Sequence, residues 1–130
     1  MDKIKIIESD GRKNELMIST GKEFSDILYK LQRKDPRVVI IELPHEGTFT
    51  LGIGSPYGFV QFSKDGEPPY LVASANNSET TQSDEIEYDS GGTPTPIPKN
   101  LCIPYEKVVD IMVYFFNNKE IPGFIQWVKI

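Results

Sequence analysis

The chain of 130 residues has little of the chemistry on which most enzymes and metalloproteins depend, since it contains one histidine, one cysteine and one tryptophan. A single cysteine excludes a disulfide-stapled scaffold, which needs cysteine pairs. One histidine and one cysteine also cannot supply the usual four-ligand set of zinc. No glycine-rich segment has the spacing of a phosphate-binding loop. We therefore expect neither a metal nor any other cofactor.

The two side chains that could act as a base or a nucleophile lie far apart in the sequence. His45 lies between two predicted strands, a position typical of an exposed turn residue. Cys102 has apolar neighbours on both sides, and a nucleophilic thiol needs a base close to it. We interpret Cys102 as a small core residue and expect that the chain is not an enzyme.

Long apolar runs and basic clusters are also missing. The chain has no stretch of ~20 apolar residues such as a membrane helix requires, and its N-terminus does not resemble a signal peptide. The formal net charge is −5, which suits nucleic acid poorly because that affinity depends mostly on phosphate neutralisation. We therefore expect a soluble cytoplasmic protein that contacts neither a membrane nor nucleic acid directly.

The length predicts one domain over residues 1–130, because a chain of this size can bury a single ordinary core. The pattern Thr20-Gly21-Lys22-Glu23 fits a capping box and predicts a helix over 22–33. Ile103-Pro104 is predicted to open a second helix, with the proline in its first turn. Segments rich in β-forming residues predict strands at 3–8, 15–18, 38–43, 48–53, 57–63, 70–74, 85–89 and 124–128.

These elements predict an α+β fold, with a mainly antiparallel twisted sheet of about six to eight strands and two helices packed on it. Residues 91–98 contain two glycines and three prolines. We expect them to run extended over the surface as a rigid connector. On the last strand Ile125 and Trp127 share one face and Phe124, Gln126 and Val128 share the other, and we expect the role of Trp127 to be structural.

Acidic residues are concentrated in the second part of the chain. Residues 1–37 carry nine basic and seven acidic side chains, whereas residues 38–130 carry five and twelve. We interpret the acidic segment 74–93, with two nearby tyrosines, as a docking surface for a basic partner, because opposite charge steers encounter. Its candidate contact residues are Glu79, Asp84, Glu85, Glu87, Asp89, Tyr57 and Tyr88.

The alternation of this segment assigns its side chains to two faces. In an extended strand Glu85, Glu87 and Asp89 share one face, and Ile86 and Tyr88 share the other. Two other interpretations of the carboxylates stay open. They could serve solubility alone, or they could bind calcium, although they lack the looped spacing of calcium-binding segments.

An ordered set of residues in the second half is similar to a known family. The set comprises Tyr88, Gly91-Gly92 with the Thr/Pro run to Pro98, Ile103-Pro104-x-Glu106, Tyr114-Phe115-Phe116, Pro122 and Trp127, with a looser match at Gly58-Phe59-Val60-Gln61-Phe62. It resembles the deaminase-associated immunity-protein family of bacterial polymorphic toxin systems. Asn117-Asn118-Lys119-Glu120 stands where that family often has a glycine. Asparagine tolerates the left-handed backbone, so we expect the same turn.

The resemblance implies an immunity protein, or antitoxin, that is made in the cytoplasm beside its toxin and blocks it. We expect a cognate toxin with a basic cleft, a nucleic-acid or nucleotide deaminase, bound by a monomer in a heterodimer. The alternative is a small ligand-binding or regulatory α+β domain in which the proline-rich segment covers a pocket. A hydrolase that uses carboxylates alone would need two acids facing each other across a cleft, whereas these acids form one row.

Overall fold

The computed structural model describes residues 2–8, 11–32, 36–54, 56–74 and 85–130. These residues form ten strands, two α-helices and one 3₁₀ turn. The strands are β1 (Asp2–Glu8), β2 (Lys13–Ile18), β3 (Arg37–Leu43), β4 (Gly47–Ile53), β5 (Tyr57–Ser63), β6 (Leu71–Ser74), β7 (Glu85–Ser90), β8 (Thr93–Pro98), β9 (Ile103–Pro104) and β10 (Gln126–Lys129). The helices are α1 (Gly21–Leu31) and α2 (Tyr105–Asn118), and the 3₁₀ turn is Lys99–Leu101.

Seven strands form one antiparallel sheet in the order β10-β6-β5-β4-β3-β1-β2. β7 joins the start of β3 through a single parallel pairing of Asp89 with Arg37, and it forms an antiparallel hairpin with β8. The short β9 pairs with β5. The predicted α+β class is confirmed. The described strands number more than six to eight because residues 93–98 and 103–104 are also strands.

The main core lies between the two helices and one face of the sheet. Phe49 of β4 packs edge-on against Phe115 of α2, with ring centroids 4.9 Å apart. Phe24 of α1 contacts Phe116 of α2 at 5.6 Å. Full burial of side chains of this kind contributes about 1.5–3 kcal/mol each. The helix layer is therefore fixed to the sheet by aromatic contacts.

The first helix begins as the capping box predicts. The side-chain oxygen of Thr20 accepts the backbone N–H of Glu23 at 3.2 Å. The Glu23 carboxylate reaches back and accepts the N–H of Ser19, also at 3.2 Å.

No helix of the described residues is long and apolar enough to cross a membrane.

The second helix ends in a left-handed residue, but that residue is Lys119 rather than an asparagine. Its φ is +60°, and its backbone N–H donates to the carbonyl of Phe115 at 2.7 Å. The Lys119 ammonium lies 3.3 Å from a carboxylate oxygen of Glu46 and 4.9 Å from the ring centre of Phe116. These contacts hold a lysine in a conformation that glycine adopts more easily.

A smaller core lies on the opposite face of the sheet. Val38 and Phe59 alternate along their strands with residues of the main core, so their side chains point to the other side. The inner face of the β7–β8 hairpin and Cys102 pack against them. Cys102 is 3% exposed, which confirms its interpretation as a core residue.

Residues 93–98 run extended at the surface, as the sequence predicted, but they form the strand β8, paired with β7, rather than an unpaired connector. Pro94, Pro96 and Pro98 lie directly opposite Asp89, Glu87 and Glu85 in the hairpin register. Proline has no N–H, so prolines at every second position fit a strand only where their nitrogens face away from the partner strand. β8 is consequently an edge strand whose free edge carries its prolines.

Trp127 lies on β10, half-buried and packed against the main core. Its indole N–H donates to the carbonyl of Pro122 at 3.0 Å. The structural role predicted for this residue is confirmed. The strand itself begins at Gln126, two residues later than the sequence predicted, and Phe124 before it is 54% exposed.

Candidate docking surface

The outer face of the β7–β8 hairpin brings three of the predicted contact residues together. Glu85, Glu87 and Asp89 are all exposed. Opposed residues of an antiparallel pair point to the same face, so the three prolines of β8 lie beside them. We call this surface the acidic face, and its residues are Glu85, Glu87, Asp89, Pro94, Pro96 and Pro98. Each carboxylate faces a proline across the hairpin, so no basic side chain of β8 neutralises it. The negative potentials of the three carboxylates therefore add together.

The hairpin turn gives the acidic face a fixed shape. Gly91 and Gly92 connect the strands with φ values of +63° and +90°. A two-residue turn with both φ positive matches the twist of its strands and favours glycine at both positions. The carboxylate of Asp89 accepts the N–H of Gly92 at 2.9 Å, and the Asp89 N–H donates to the carbonyl of Pro36, also at 2.9 Å. Asp89 therefore closes the turn and ties it to the chain before β3.

Tyr88, which the sequence predicted as a contact residue, does not lie on the acidic face with the carboxylates, because its side chain is buried. Its side chain is 0% exposed and packs edge-on against Phe59, with ring centroids 4.9 Å apart. Its hydroxyl donates to the carbonyl of Tyr57 at 3.3 Å. Burial raises the pKa of Tyr88, and the neighbouring Cys102 adds to that shift. Tyr88 lies on the inner face of the hairpin together with Ile86, the residue with which alternation grouped it, and anchors that face in the smaller core.

Tyr57 lies at the margin of the acidic face. It is 37% exposed, and the Lys99 ammonium lies 6.0 Å from the centre of its ring. Lys99 directly follows Pro98, which is the residue opposite Glu85. A basic residue therefore stands at the Glu85 end of the row. The sequence argument missed it because the acidic segment was taken to end at residue 93.

Two further predicted contact residues, Glu79 and Asp84, lie outside the described residues. Their place relative to the acidic face stays a prediction.

The prolines of the acidic face were not predicted as site residues. Their period of two along 94–98 was the available signal, because it matches the alternation of 85–89 on the facing strand.

The side chains that could do chemistry do not converge in the described part of the chain. Burial raises the pKa of the Cys102 thiol, although its hydrogen bond with Tyr88 and the charge of Lys99 oppose that shift. A thiol with a raised pKa stays protonated and is a poor nucleophile. His45 lies exposed in the turn between β3 and β4 with a φ of +67°. No group of three or more His, Cys, Asp or Glu among these residues could hold a metal ion.

Three clefts of the structure lie away from the proline-rich strand. One of about 630 Å³ lies beside the β3–β4 turn, one of about 440 Å³ lies between α1 and α2, and one of about 300 Å³ lies beside β10. Residues 91–98 line none of these three. Because 93–98 form a paired strand and line none of these three clefts, the described residues give no support to the ligand-binding alternative, in which this segment covers a pocket.

A model of the family described as immunity protein Imm1 matches residues 12–129. The chain belongs to the Imm1 family. The match runs from the residue before β2 to the last residue of β10 and so includes the whole acidic face.

Membership of Imm1 confirms the resemblance to an immunity family of polymorphic toxin systems. An immunity protein acts through a toxin, so membership indicates a cognate toxin as the partner. A comparison with curated proteins found no match.

Proposed function

We propose that this Imm1 protein binds a cognate polymorphic toxin, a nucleic-acid or nucleotide deaminase, and inhibits it by covering its active-site cleft with the acidic face. Residues 1–130 act as a single domain, without catalytic activity of their own. The protein is a cytoplasmic monomer that forms a heterodimer with the toxin and contacts neither nucleic acid nor membrane. The contact residues are Glu79, Asp84, Glu85, Glu87, Asp89 and Tyr57.

The observation that carries this proposal is the row of three carboxylates on a rigid hairpin. A toxin that acts on nucleic acid needs positive charge in its cleft, because the phosphates dominate that affinity. A row of negative charges complements such a cleft and steers the two proteins together. The prolines add apolar surface that loses little conformational freedom on binding, since a proline side chain has almost none to lose.

The first experiment is co-expression with the toxin domain encoded beside the gene for this chain. We expect a stable one-to-one complex in size-exclusion chromatography, and a deaminase activity that is lost in the complex and present in the free toxin. Two separate peaks with toxin activity intact would contradict the proposal. A complex with a toxin of different chemistry would retain the immunity function and reject the deaminase.

Charge reversal tests the acidic face itself. Glu85→Lys with Glu87→Lys should slow association by about tenfold or more at low ionic strength and flatten its salt dependence, because steering is lost. The matched control is Asp26→Lys with Glu120→Lys, two exposed acids outside the hairpin. Both variants change the net charge equally. If they slow association to the same extent, the effect comes from net charge and the docking surface lies elsewhere.

A further inference from the structure

The described sheet has free edges at β2, β8, β10 and the two-residue β9, and the three longer edges differ in their protection. The free edge of β8 carries three prolines. The edge strand β2 is covered by exposed polar side chains such as Lys13 and Glu15. Natural sheets use prolines and charged residues in this way to prevent the addition of foreign strands. β10, at the third of these edges, has no proline, and Lys129 is its one charged residue.

Instead, exposed apolar residues are concentrated around β10. Phe124 is 54% exposed, Val128 37% and Ile130 61%. These three account for half of the large hydrophobic residues exposed on the described chain, the others being Met17, Tyr29 and Tyr57. Half of the exposed large hydrophobic residues of the described chain thus lie within residues 124–130, and exposed apolar surface of this extent indicates an interaction site.

The backbone of β10 has unused hydrogen-bonding groups at this edge. The N–H of Ile130 donates to the carbonyl of Tyr70 at 3.0 Å, so this pair belongs to the hydrogen-bonded type of the antiparallel ladder. Hydrogen-bonded and non-bonded pairs alternate along such a ladder. Lys129 and Trp127 are therefore non-bonded positions opposite Leu71 and Ala73. Their N–H and C=O groups point away from β6, and among the described residues no strand pairs with them.

A cleft of about 300 Å³ beside β10 can receive a side chain from a partner. Its lining includes Ile103, Phe124 and Ile125, with Lys107 as its charged residue. Lys107 and Lys129 make no ion pair among the described residues. An extended segment with an apolar side chain for the cleft and a carboxylate for the lysines complements this surface.

The β10 edge adjoins the acidic face. Gln126 of β10 pairs with Ser74 of β6. The Ser74 hydroxyl donates to the carbonyl of Asn100 at 3.4 Å, and Asn100 lies in the 3₁₀ turn that directly follows β8. One partner can therefore contact both the Glu85 end of the acidic face and β10.

We propose that an extended segment of the cognate toxin adds to β10 as a further strand of the sheet. Backbone hydrogen bonds to Trp127 and Lys129 give the contact its direction, an apolar toxin side chain fills the cleft at Phe124, and a toxin carboxylate lies near Lys107 and Lys129. Strand addition of this kind takes affinity from main-chain hydrogen bonds and specificity from side-chain pockets. The inference rests on the proposed function in that the occupant is the toxin.

The test removes one outward N–H. Lys129→Pro deletes a donor that the isolated protein does not use, so the fold should be retained and affinity for the purified toxin should fall at least tenfold. Lys129→Ala removes the same charge but keeps the N–H, and it should weaken binding less. Lys13→Pro on the opposite edge is the matched control. The N–H of Glu8 donates to the carbonyl of Arg12, so by the same alternation the N–H of Lys13 points outward.

If Lys129→Pro proves unstable, Phe124→Ser tests the cleft independently, because a half-exposed side chain contributes little to folding. The variant loses the edge-on contact with the Tyr114 ring, 5.8 Å away, so its thermal midpoint should fall slightly, and the folded variant should bind the toxin at least tenfold more weakly. Unchanged affinity in the folded Lys129→Pro and Phe124→Ser variants would overturn this inference and leave the proposed function intact. A parent protein that does not bind the toxin would overturn the proposed function. A parent dimer that Lys129→Pro converts to a monomer would assign the edge to a second copy and also overturn the inference.

Discussion

Tyr88 is the residue on which the hairpin depends. Its ring fills the smaller core beside Phe59, and its hydroxyl reaches the carbonyl of Tyr57 on the main sheet. Every other residue of β7 is exposed or half-buried, so this one side chain supplies most of the contact that holds the strand down. Glu87 and Asp89, the carboxylates on either side of it, point outward because the Tyr88 side chain is buried on the inner face.

Replacing Tyr88 should separate packing from hydrogen bonding. Tyr88→Ala should lower the free energy of unfolding by about 3–5 kcal/mol, because it leaves a large cavity. Tyr88→Phe keeps the ring and should cost about 1 kcal/mol, the usual worth of one hydrogen bond. Urea unfolding followed by fluorescence measures both. A Tyr88→Ala variant as stable as the parent would mean that the ring is not buried in solution.

At this scale the sequence identifies the acidic residues but not their anchor. Alternation alone places Glu85, Glu87 and Asp89 on one face, since successive side chains of any strand point to opposite sides. It cannot tell which face is buried. That depends on Val38 and Phe59, which are distant in sequence and which the fold brings under the hairpin. The same limit explains why Tyr88 was predicted as a contact residue.

The turn after α2 allows an element-scale prediction about backbone strain. Lys119 holds a left-handed conformation with φ at +60° and also contacts Glu46 and Phe116. Lys119→Ala loses both contacts and keeps the strain, whereas Lys119→Gly loses both contacts and relieves it. The glycine variant should therefore be more stable than the alanine variant by about 1 kcal/mol in urea unfolding. Equal stabilities would mean that the turn carries no such strain.

The approach of β5 to β4 allows a second prediction at the level of elements. A side chain at Gly58 would meet the backbone carbonyl of Gly52, which cannot move aside, and would lie 3.1 Å from Val108. Gly58→Ala should therefore destabilise the fold by about 1–3 kcal/mol or more, the cost of overpacking a core. Gly123→Ala is the control, because nothing lies within 4 Å of the added carbon. Thermal unfolding of both variants decides, and a Gly58→Ala midpoint equal to that of Gly123→Ala would contradict the argument.

Periodicity predicts most elements of this fold and fails at β8. Apolar spacing locates α1 and α2, and β-rich runs locate the strands of the meander, because those signals are local. β8 carries three prolines, which locally favour an extended, unpaired chain. It forms a strand because β7 pairs with the edge of β8 that does not carry the proline nitrogens, where backbone hydrogen bonds can form. Pairing of this kind is decided by tertiary contacts rather than by the segment itself.

For the molecule as a whole, the two faces of the sheet pack against different elements. The helices and the main core cover one face, and the β7–β8 hairpin covers part of the other and carries the carboxylates outward. The strand order, with β7 beside the start of β3, could not be derived from the sequence. Such pairing joins segments that are far apart along the chain, and local sequence patterns do not indicate which distant segments pair.

Three buried proton donors, Cys102, Tyr88 and Tyr105, predict how the stability of the whole molecule depends on pH. Burial raises the pKa of each group in the folded state, although Lys99 opposes the shift at Cys102 and Arg37 opposes it at Tyr105. The unfolded chain releases these protons near the ordinary pKa values, 9.0 for the thiol and 10.0 for the tyrosines. The folded chain retains them to higher pH. Their stabilising contribution is therefore complete below pH 9 and is lost as pH rises above it.

Each group should cost up to about 1.4 kcal/mol per pH unit above its unfolded pKa. Urea unfolding at pH 7, 9 and 10.5 should give a free energy of unfolding that falls over the last interval. Cys102→Ala should remove the part of the fall that begins nearest pH 9, and Tyr105→Phe the part that begins nearest pH 10. Stability that stays constant to pH 10.5 in the parent would mean that these groups ionise equally in the folded and unfolded chains, and that the two cores admit water.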